Sequence, residues 1–296
     1  MRLIGIMLVR NEDVFIERAI RNALPACDDF IVANHQSKDR TTEILESLQS
    51  EFSNRIKVHH IRNSDDSHAF IRSYAGSNTW ILGVDGDEIY DPAGLLRLKT
   101  KLLAGEYADS WIVFGGVLNV RELRGNSAFG HFSPPCRSMT KLYNFNAIED
   151  WAGPCAERLH GGSIRFRPGY HDQLRLDLHK QYSWEDLDFR CLHVCFLRRS
   201  SLEPENGLFR KNIMDVRAWS RTKALQKLYG VLIGSPAPDW KEQKYARGPL
   251  VQCEVSAFFP AQEPGFLKEN MESLHSVPGS NSRSFFDVGS TNGSFS

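Results

Sequence analysis

Four short apolar runs alternate with stretches of helical spacing over the first third of this chain. The runs are Leu3–Val9, Asp29–Ala33, Ile56–Ile61 and Thr79–Val84. Between the first two, Ile16, Ala19, Ile20 and Ala23 fall on one helical face of Asp13–Ala23, and Pro25 ends the helix. Thr41–Phe52 reads as a second amphipathic helix capped by Thr41 or Thr42, and Phe70–Ser77 as a third. Strands alternating with helices predict a parallel, doubly wound sheet. Such sheets bind ligands outside the carboxyl ends of their strands. Three polar clusters fall at that edge: Arg10-Asn11-Glu12, Asn34 to Asp39, and Asp85 to Glu88.

The third cluster carries the sharpest chemistry. Trp80–Val84 is a buried-strand pattern running into Asp85-Gly86-Asp87-Glu88. In extended backbone, positions i and i+2 share a side, so Asp85 and Asp87 would face one cation together. Gly86 would let a ligand approach the backbone. Hard divalent cations favour a few carboxylates plus phosphate oxygens. The rival reading is a plain acidic turn ahead of a helix capped by Asp91 and opened by Pro92.

Beyond that cluster the pattern changes. Ala93–Leu103 reads as a helix, Ser110–Val120 as a strand and Gly125–Pro135 as a loop. Lys141–Phe145, Ser163–Phe166 and Cys191–Leu197 read as strands, and Asn212–Tyr229 as a helix bearing Arg and Lys. Val277–Ser296, rich in Ser, Gly and Asn, reads as a loose tail. The expected organisation is a ligand-binding α/β domain over 1–200, a helical extension over 201–276 and a tail over 277–296.

Composition narrows the function classes. Lys plus Arg and Asp plus Glu both number 36, so the basic excess of a nucleic-acid binder is missing. No apolar stretch is long enough to span a bilayer, and Met1–Val9 is too short for a secretory leader. The six cysteines are scattered and match no zinc template, which points to buried thiols and a cytoplasmic location. The absence of Gly-x-Gly-x-x-Gly after the first strand argues against a Rossmann dehydrogenase. The absence of a glycine-rich basic first loop argues against a sugar-phosphate nucleotidyltransferase.

The segments Val9-Arg10-Asn11-Glu12, Ile31-Val32-Ala33-Asn34-His35-Gln36-Ser37-Lys38-Asp39-Arg40-Thr41, Arg72 and Val84-Asp85-Gly86-Asp87-Glu88 occur in a distinctive order. From about Leu3 to about Leu197 the chain resembles a family-2 glycosyltransferase with the GT-A fold. The resemblance implies a mostly parallel α/β sheet, an antiparallel acceptor-side extension and C-terminal helices. It implies transfer of a sugar, of hexosyltransferase type and with inversion, from a UDP- or GDP-linked donor to a saccharide or lipid-linked acceptor. Surface polysaccharide or glycoconjugate synthesis is the implied setting, with peripheral membrane contact through Asn212–Tyr229.

Carried over residue by residue, the donor would meet Val9, Asn11, Glu12, Asn34, Asp39, Arg72 and Asp85. Asp87, Asp85 and His193 would hold Mn²⁺ or Mg²⁺. Trp151-Ala152-Gly153-Pro154-Cys155-Ala156-Glu157-Arg158-Leu159 is similar to the segment bearing the family's general base, which makes Glu157 the candidate base. The rival reading of Glu157 is an ion pair with Arg158 or Arg165 on a surface loop, and Glu149-Asp150 is the next candidate for the base. His193 lies in an apolar run, where a lone histidine is more often a hydrogen-bonded core residue than a ligand. The chain departs from the pattern at Asn34 (usually Asp), at Ser73 (often Asn) and at Ala156 (often His). Those departures keep open a nucleotide-sugar binding protein without transferase activity.

Overall fold

The computed structural model describes residues 1–132, 141–153, 157, 159, 162–203 and 240–260. The strands are β1 (Arg2–Val9), β2 (Asp29–Asn34), β3 (Ile56–His60), β4 (Thr79–Gly83), β5 (Glu88–Tyr90), β6 (Ile112–Phe114) and β7 (Gly116–Arg124), followed by β8 (Ser127–Phe132), β9 (Lys141–Asn144), β10 (Ile148–Ala152), β11 (Ser163–Phe166), β12 (Arg175–Asp177), β13 (Arg190–His193) and β14 (Val251–Glu254). The helices are α1 (Ile16–Ala23), α2 (Thr41–Glu51), α3 (Pro92–Leu103) and α4 (Trp240–Tyr245).

The main sheet has the order β12-β6-β9-β4-β1-β2-β3. Strands β4, β1, β2 and β3 run parallel, as the alternation predicts, and β9 enters antiparallel between β4 and β6. β1 is a continuous buried run because both its faces are covered. Leu3, Met7 and Val9 join a core with Ile16, Ile20, Leu45 and Leu98 from the helices. Ile4 and Ile6 face Trp111, Tyr143 and Trp151 on the other side. Gly5 is obligatory here: a Cβ would sit 2.3 Å from the Phe30 ring. A second sheet, β14-β8-β7-β13-β5, stacks its own core of Phe15, Ile89, Leu118 and Leu192.

Several expectations needed correction. The strand expected over Ser110–Val120 is two, β6 and β7, one in each sheet. The break falls at Gly115, where a Cβ would lie 2.0 Å from the carbonyl oxygen of Phe189. Within the loop expected over Gly125–Pro135, residues 127–132 form β8, paired with β7. The helix expected over Phe70–Ser77 is a 3-10 segment, Ser64–Tyr74, capped by the Asn63 side chain on the Asp65 amide. The strand expected over Cys191–Leu197 stops at His193, because Leu197 N–H turns back to the carbonyl of Val194. Asp91 and Pro92 do start α3, with the Asp91 carboxylate accepting from Gly94 N–H at 3.0 Å. In the described part of 201–276, β14 joins the second sheet beside β8, and only α4 is an α-helix. The helix expected over Asn212–Tyr229 and the tail over Val277–Ser296 lie outside the described residues. Cys27, Cys191, Cys195 and Cys253 are buried free thiols, as expected.

Candidate active site

The first two polar turns lie side by side because β1 and β2 end in register, Val9 opposite Asn34. Val9 packs in the core, and its carbonyl accepts from His35 N–H at 2.8 Å. Asn11 takes a left-handed conformation (φ 55°) that asparagine tolerates better than most residues. Its carboxamide oxygen accepts from Lys38 N–H at 2.7 Å. Asn34 is buried, and its amide is used at both ends: Nδ2 donates to Thr42 Oγ1 at 2.9 Å, and Oδ1 accepts from Ser37 N–H at 3.3 Å. Asp39 accepts from Thr41 N–H at 3.0 Å and from the Ser200 hydroxyl at 2.5 Å. Burial works to raise the Asp39 pKa, but donors from Ser200, Thr41 and Asp13 outweigh it and hold the carboxyl below its ordinary value.

Ser200 brings the segment after β13 into the site. Ser201 N–H donates to Asp13 Oδ1 at 2.7 Å, and its hydroxyl bonds the same carboxylate. Arg199 is placed by this clasp. Its Nη1 contacts Oδ2 of Asp87 and lies 3.8 Å from Oε1 of the buried Glu12.

The acidic segment is arranged differently from the expectation. Glu88 N–H donates to the Asp85 carbonyl at 3.0 Å, so Asp85–Glu88 is a closed turn and not extended backbone. The i, i+2 argument therefore fails, and the two aspartates have different partners. Asp85 Oδ1 faces Nζ of Lys141 at 3.6 Å. Asp87 faces Arg199 and, at 3.5 Å, Nε2 of His193. Gly86 also serves a different purpose. A Cβ there would meet Cγ of Glu12 at 2.8 Å, so the glycine makes room for a protein side chain.

His193 reaches Asp87 because β13 is held from both sides. It pairs antiparallel with β5, His193 opposite Glu88, and parallel with β7, His193 opposite Asn119. Val194 N–H also donates to the Asp87 carbonyl at 2.9 Å. Burial opposes a charged ring, but Cys195, Tyr245 and Glu88 outweigh it and raise the His193 pKa to about 9. Lys141 and Glu88 are fully buried behind the turn, with Nζ 4.0 Å from Oε1. Burial pushes the Glu88 carboxyl up, against the pull of Lys141.

Glu157 and Arg72 sit on a second wall. Glu157 is buried, with Oε2 accepting from the Ser67 hydroxyl at 3.2 Å and its amide donating back to Ser67 Oγ at 3.1 Å. Arg165 is bound instead to Glu149, at 2.9 Å. Arg72 is exposed and pairs with Asp150 at 3.0 Å and with the carbonyl of Trp151 at 2.9 Å, so these partners belong to this wall and not to the acidic turn.

Among the described residues, no group of three or more His, Cys, Asp or Glu side chains is placed to hold a metal ion. Asp87 and His193 supply one carboxylate and one imidazole, a donor pair that suits a divalent cation whose other ligands come from a phosphate-bearing substrate. Lys141, Asn119 and the Ser200–Ser201 clasp carry no signal in the sequence that marks them as part of the site. Lys141 opens a strand, where lysine usually marks a wet end, and Asn119 is hidden inside an apolar run.

No helix among the described residues is long and apolar enough to cross a membrane. The sequence profile of glycosyl transferase family 2 matches residues 6–168. No curated protein matches the chain. Three solved structures illustrate the structural likeness, which is slight. S. aureus TarS (residues 1–349) is 17% identical, with 49% of this chain and 47% of that one covered and a TM-score of 0.32. Glucosyl-3-phosphoglycerate synthase from Mycobacterium tuberculosis, solved with Mn²⁺, UDP and glucosyl-3-phosphoglycerate, is 21% identical over 39% and 44% of the two chains, with a TM-score of 0.29. Mannose-6-phosphate isomerase from Helicobacter pylori is 10% identical over 65% and 96%, with a TM-score of 0.35. The match to the TarS fragment spans about half of that fragment's length. The family profile covers more than half of the 296 residues, and on that match the chain belongs to glycosyl transferase family 2, with the α/β sheet of the GT-A fold.

Proposed function

We propose that this protein transfers a sugar, with inversion, from a nucleotide-sugar donor to an acceptor hydroxyl. The observation that carries the reading is the meeting of Asp87, His193 and Arg199 beside the carboxyl ends of β1 and β4. Two negative phosphates need compensating charge there, and more of it as the glycosidic bond breaks. Mn²⁺ or Mg²⁺, held by Asp87 and His193, would neutralise the leaving diphosphate. Arg199 supplies a second positive charge within the same group. Asp85, turned toward Lys141, is left to orient the donor's ribose. The two turns bearing Asn11, Glu12, Asn34 and Asp39 frame the nucleoside, with Val9 as the strand end beneath them. On the second wall, Glu157 takes the acceptor's proton, and Arg72 with Trp151 lines the approach.

The acceptor is a saccharide or lipid-linked hydroxyl, in surface polysaccharide or glycoconjugate synthesis, as the family resemblance implies. A second reading is a nucleotide-sugar binder without transfer. The Arg199 guanidinium against Asp87 favours it, because that cation already offsets part of the acidic charge.

The test is calorimetric titration of UDP and GDP, with Mn²⁺ and with chelator, on the wild type and on Asp87→Ala. Binding that requires both Mn²⁺ and Asp87 is expected. If a folded wild-type protein binds neither nucleotide under any condition, the proposal falls. Hydrolysis of UDP-glucose then separates the two readings, since a pure binder releases no glucose.

A further inference from the structure

We propose that Asn119 is a positioning residue that fixes which nitrogen of His193 is offered to the metal. The inference rests on the metal reading of Asp87 and His193 above. Asn119 is fully buried on β7, directly opposite His193 on β13. Its Nδ2 donates to the carbonyl oxygen of His131 at 3.3 Å. A carbonyl only accepts, so the other end of the amide, Oδ1, is the end that faces His193. Oδ1 lies 2.7 Å from Nδ1 of His193, and the Cys195 thiol approaches the same oxygen at 4.0 Å. An amide oxygen is an acceptor, so Nδ1 of His193 carries the proton. In the neutral ring Nε2 then holds the lone pair.

That lone pair points at a carboxylate. Nε2 lies 3.5 Å from Oδ2 of Asp87, and both groups are buried. The same carboxylate oxygen also takes Nη1 of Arg199, so Nε2 shares Asp87 with a positive charge, and a metal ion there would take the place of the Nε2 proton. Without Asn119, the neutral ring is free to keep its proton on either nitrogen, so Nε2 is no longer the one reserved for a cation. A hydrogen bond from the far ring nitrogen also makes the near one more basic and stops the ring turning. Losing such a partner weakens metal binding about 10- to 100-fold.

The experiment uses the full chain and three variants: Asn119→Leu, Asn119→Asp and His193→Ala. Mn²⁺ is titrated by calorimetry with UDP present, and ¹⁵N spectra of labelled histidine are recorded through a pH titration that carries the ring to its neutral form. Asn119→Leu is expected to weaken Mn²⁺ binding at least tenfold and move the ring proton from Nδ1 to Nε2. Asn119→Asp retains an acceptor and is expected to preserve both the affinity and the Nδ1 proton. A structural role alone would leave the tautomer unmoved. Wild-type Mn²⁺ affinity in Asn119→Leu, or equal losses in the Leu and Asp variants, would overturn the role of Asn119. If the wild type binds no Mn²⁺, or His193→Ala binds it unchanged, the metal reading itself is what fails, and Asn119 loses this role with it.

Discussion

Nζ of Lys141 lies 3.6 Å from Oδ1 of Asp85, and no part of the lysine reaches solvent. A buried ammonium is tolerated only beside compensating charge, and Asp85 and Glu88 supply it. Gly83 makes the room, since a Cβ there would stand 3.3 Å from Cδ of Lys141. Replacing Lys141 with Met should cost about 3–5 kcal/mol, because the buried Glu88 and the partly buried Asp85 lose their cation. Adding Glu88→Gln should recover part of that loss. Urea unfolding of the two single variants and the double variant gives the coupling directly, and an additive result would show that the pair does not interact.

Asp39→Asn should make stability less dependent on pH. The folded-state pKa of Asp39 is lowered, so its carboxylate stabilises the fold above the ordinary value of 3.8, and that contribution disappears as pH falls through the lowered value. The wild type should therefore exceed the variant in urea midpoint at pH 7, and the gap should narrow toward pH 3. A gap that is constant with pH would assign the whole effect to lost neutral hydrogen bonds.

Gly86→Ala should disturb the site through Glu12 and not through a ligand. The added methyl would overlap Cγ of Glu12, at 2.8 Å, and crowd Val9, at 3.3 Å. Overpacking of this kind costs about 1–3 kcal/mol. Thermal melts should fall, and pairing the change with Glu12→Ala should restore much of the loss.

Glu157→Gln should lower kcat about 10²- to 10⁴-fold and leave the UDP Kd close to that of the wild type. Glutamine keeps an oxygen for the Ser67 hydroxyl but cannot take a proton. Equal losses in kcat and in nucleotide affinity would mean that Glu157 shapes the pocket and is not the base.

Arg199→Gln should shift two affinities in opposite directions. Removing the guanidinium frees Asp87, so Mn²⁺ alone should bind more tightly. UDP should bind less tightly, since a positive charge near its phosphates is gone. Parallel shifts in both would rule out direct competition between Arg199 and the cation.

The main sheet was legible because β1, β2 and β4 are buried on both faces, which leaves continuous apolar runs in the sequence. Asp91-Pro92 was legible because a cap and a helix start are local chemistry. β8 was not, because Ser127–Phe132 carries Gly130, which reads as a loop. In the fold that glycine lets β8 lie against β7, where a Cβ would fall 2.2 Å from the Asn119 carbonyl oxygen. The acidic segment is legible as a polar cluster at the sheet edge, and of its two readings the tight turn holds and the extended backbone does not. The hydrogen bond from Glu88 to Asp85 decides between them, and residue spacing alone does not. Lys141 and Asn119 were missed because their roles depend on β9 and β7 arriving from far along the chain.

The clasp from Ser200 to Asp39 and from Ser201 to Asp13 joins residues 161 and 188 positions apart. Contacts so distant along the chain form late, after the local strand–helix units have assembled. During synthesis, the parallel strands can gather well before Ser201 has left the ribosome. A chain shortened to the family-matched segment ending at 168 would keep those strands but lose His193, Arg199 and both serines. Scaffold and chemistry in this protein are therefore drawn from different stretches of one chain: the parallel strands come from its first third, and the groups that face Asp87 come from beyond residue 190.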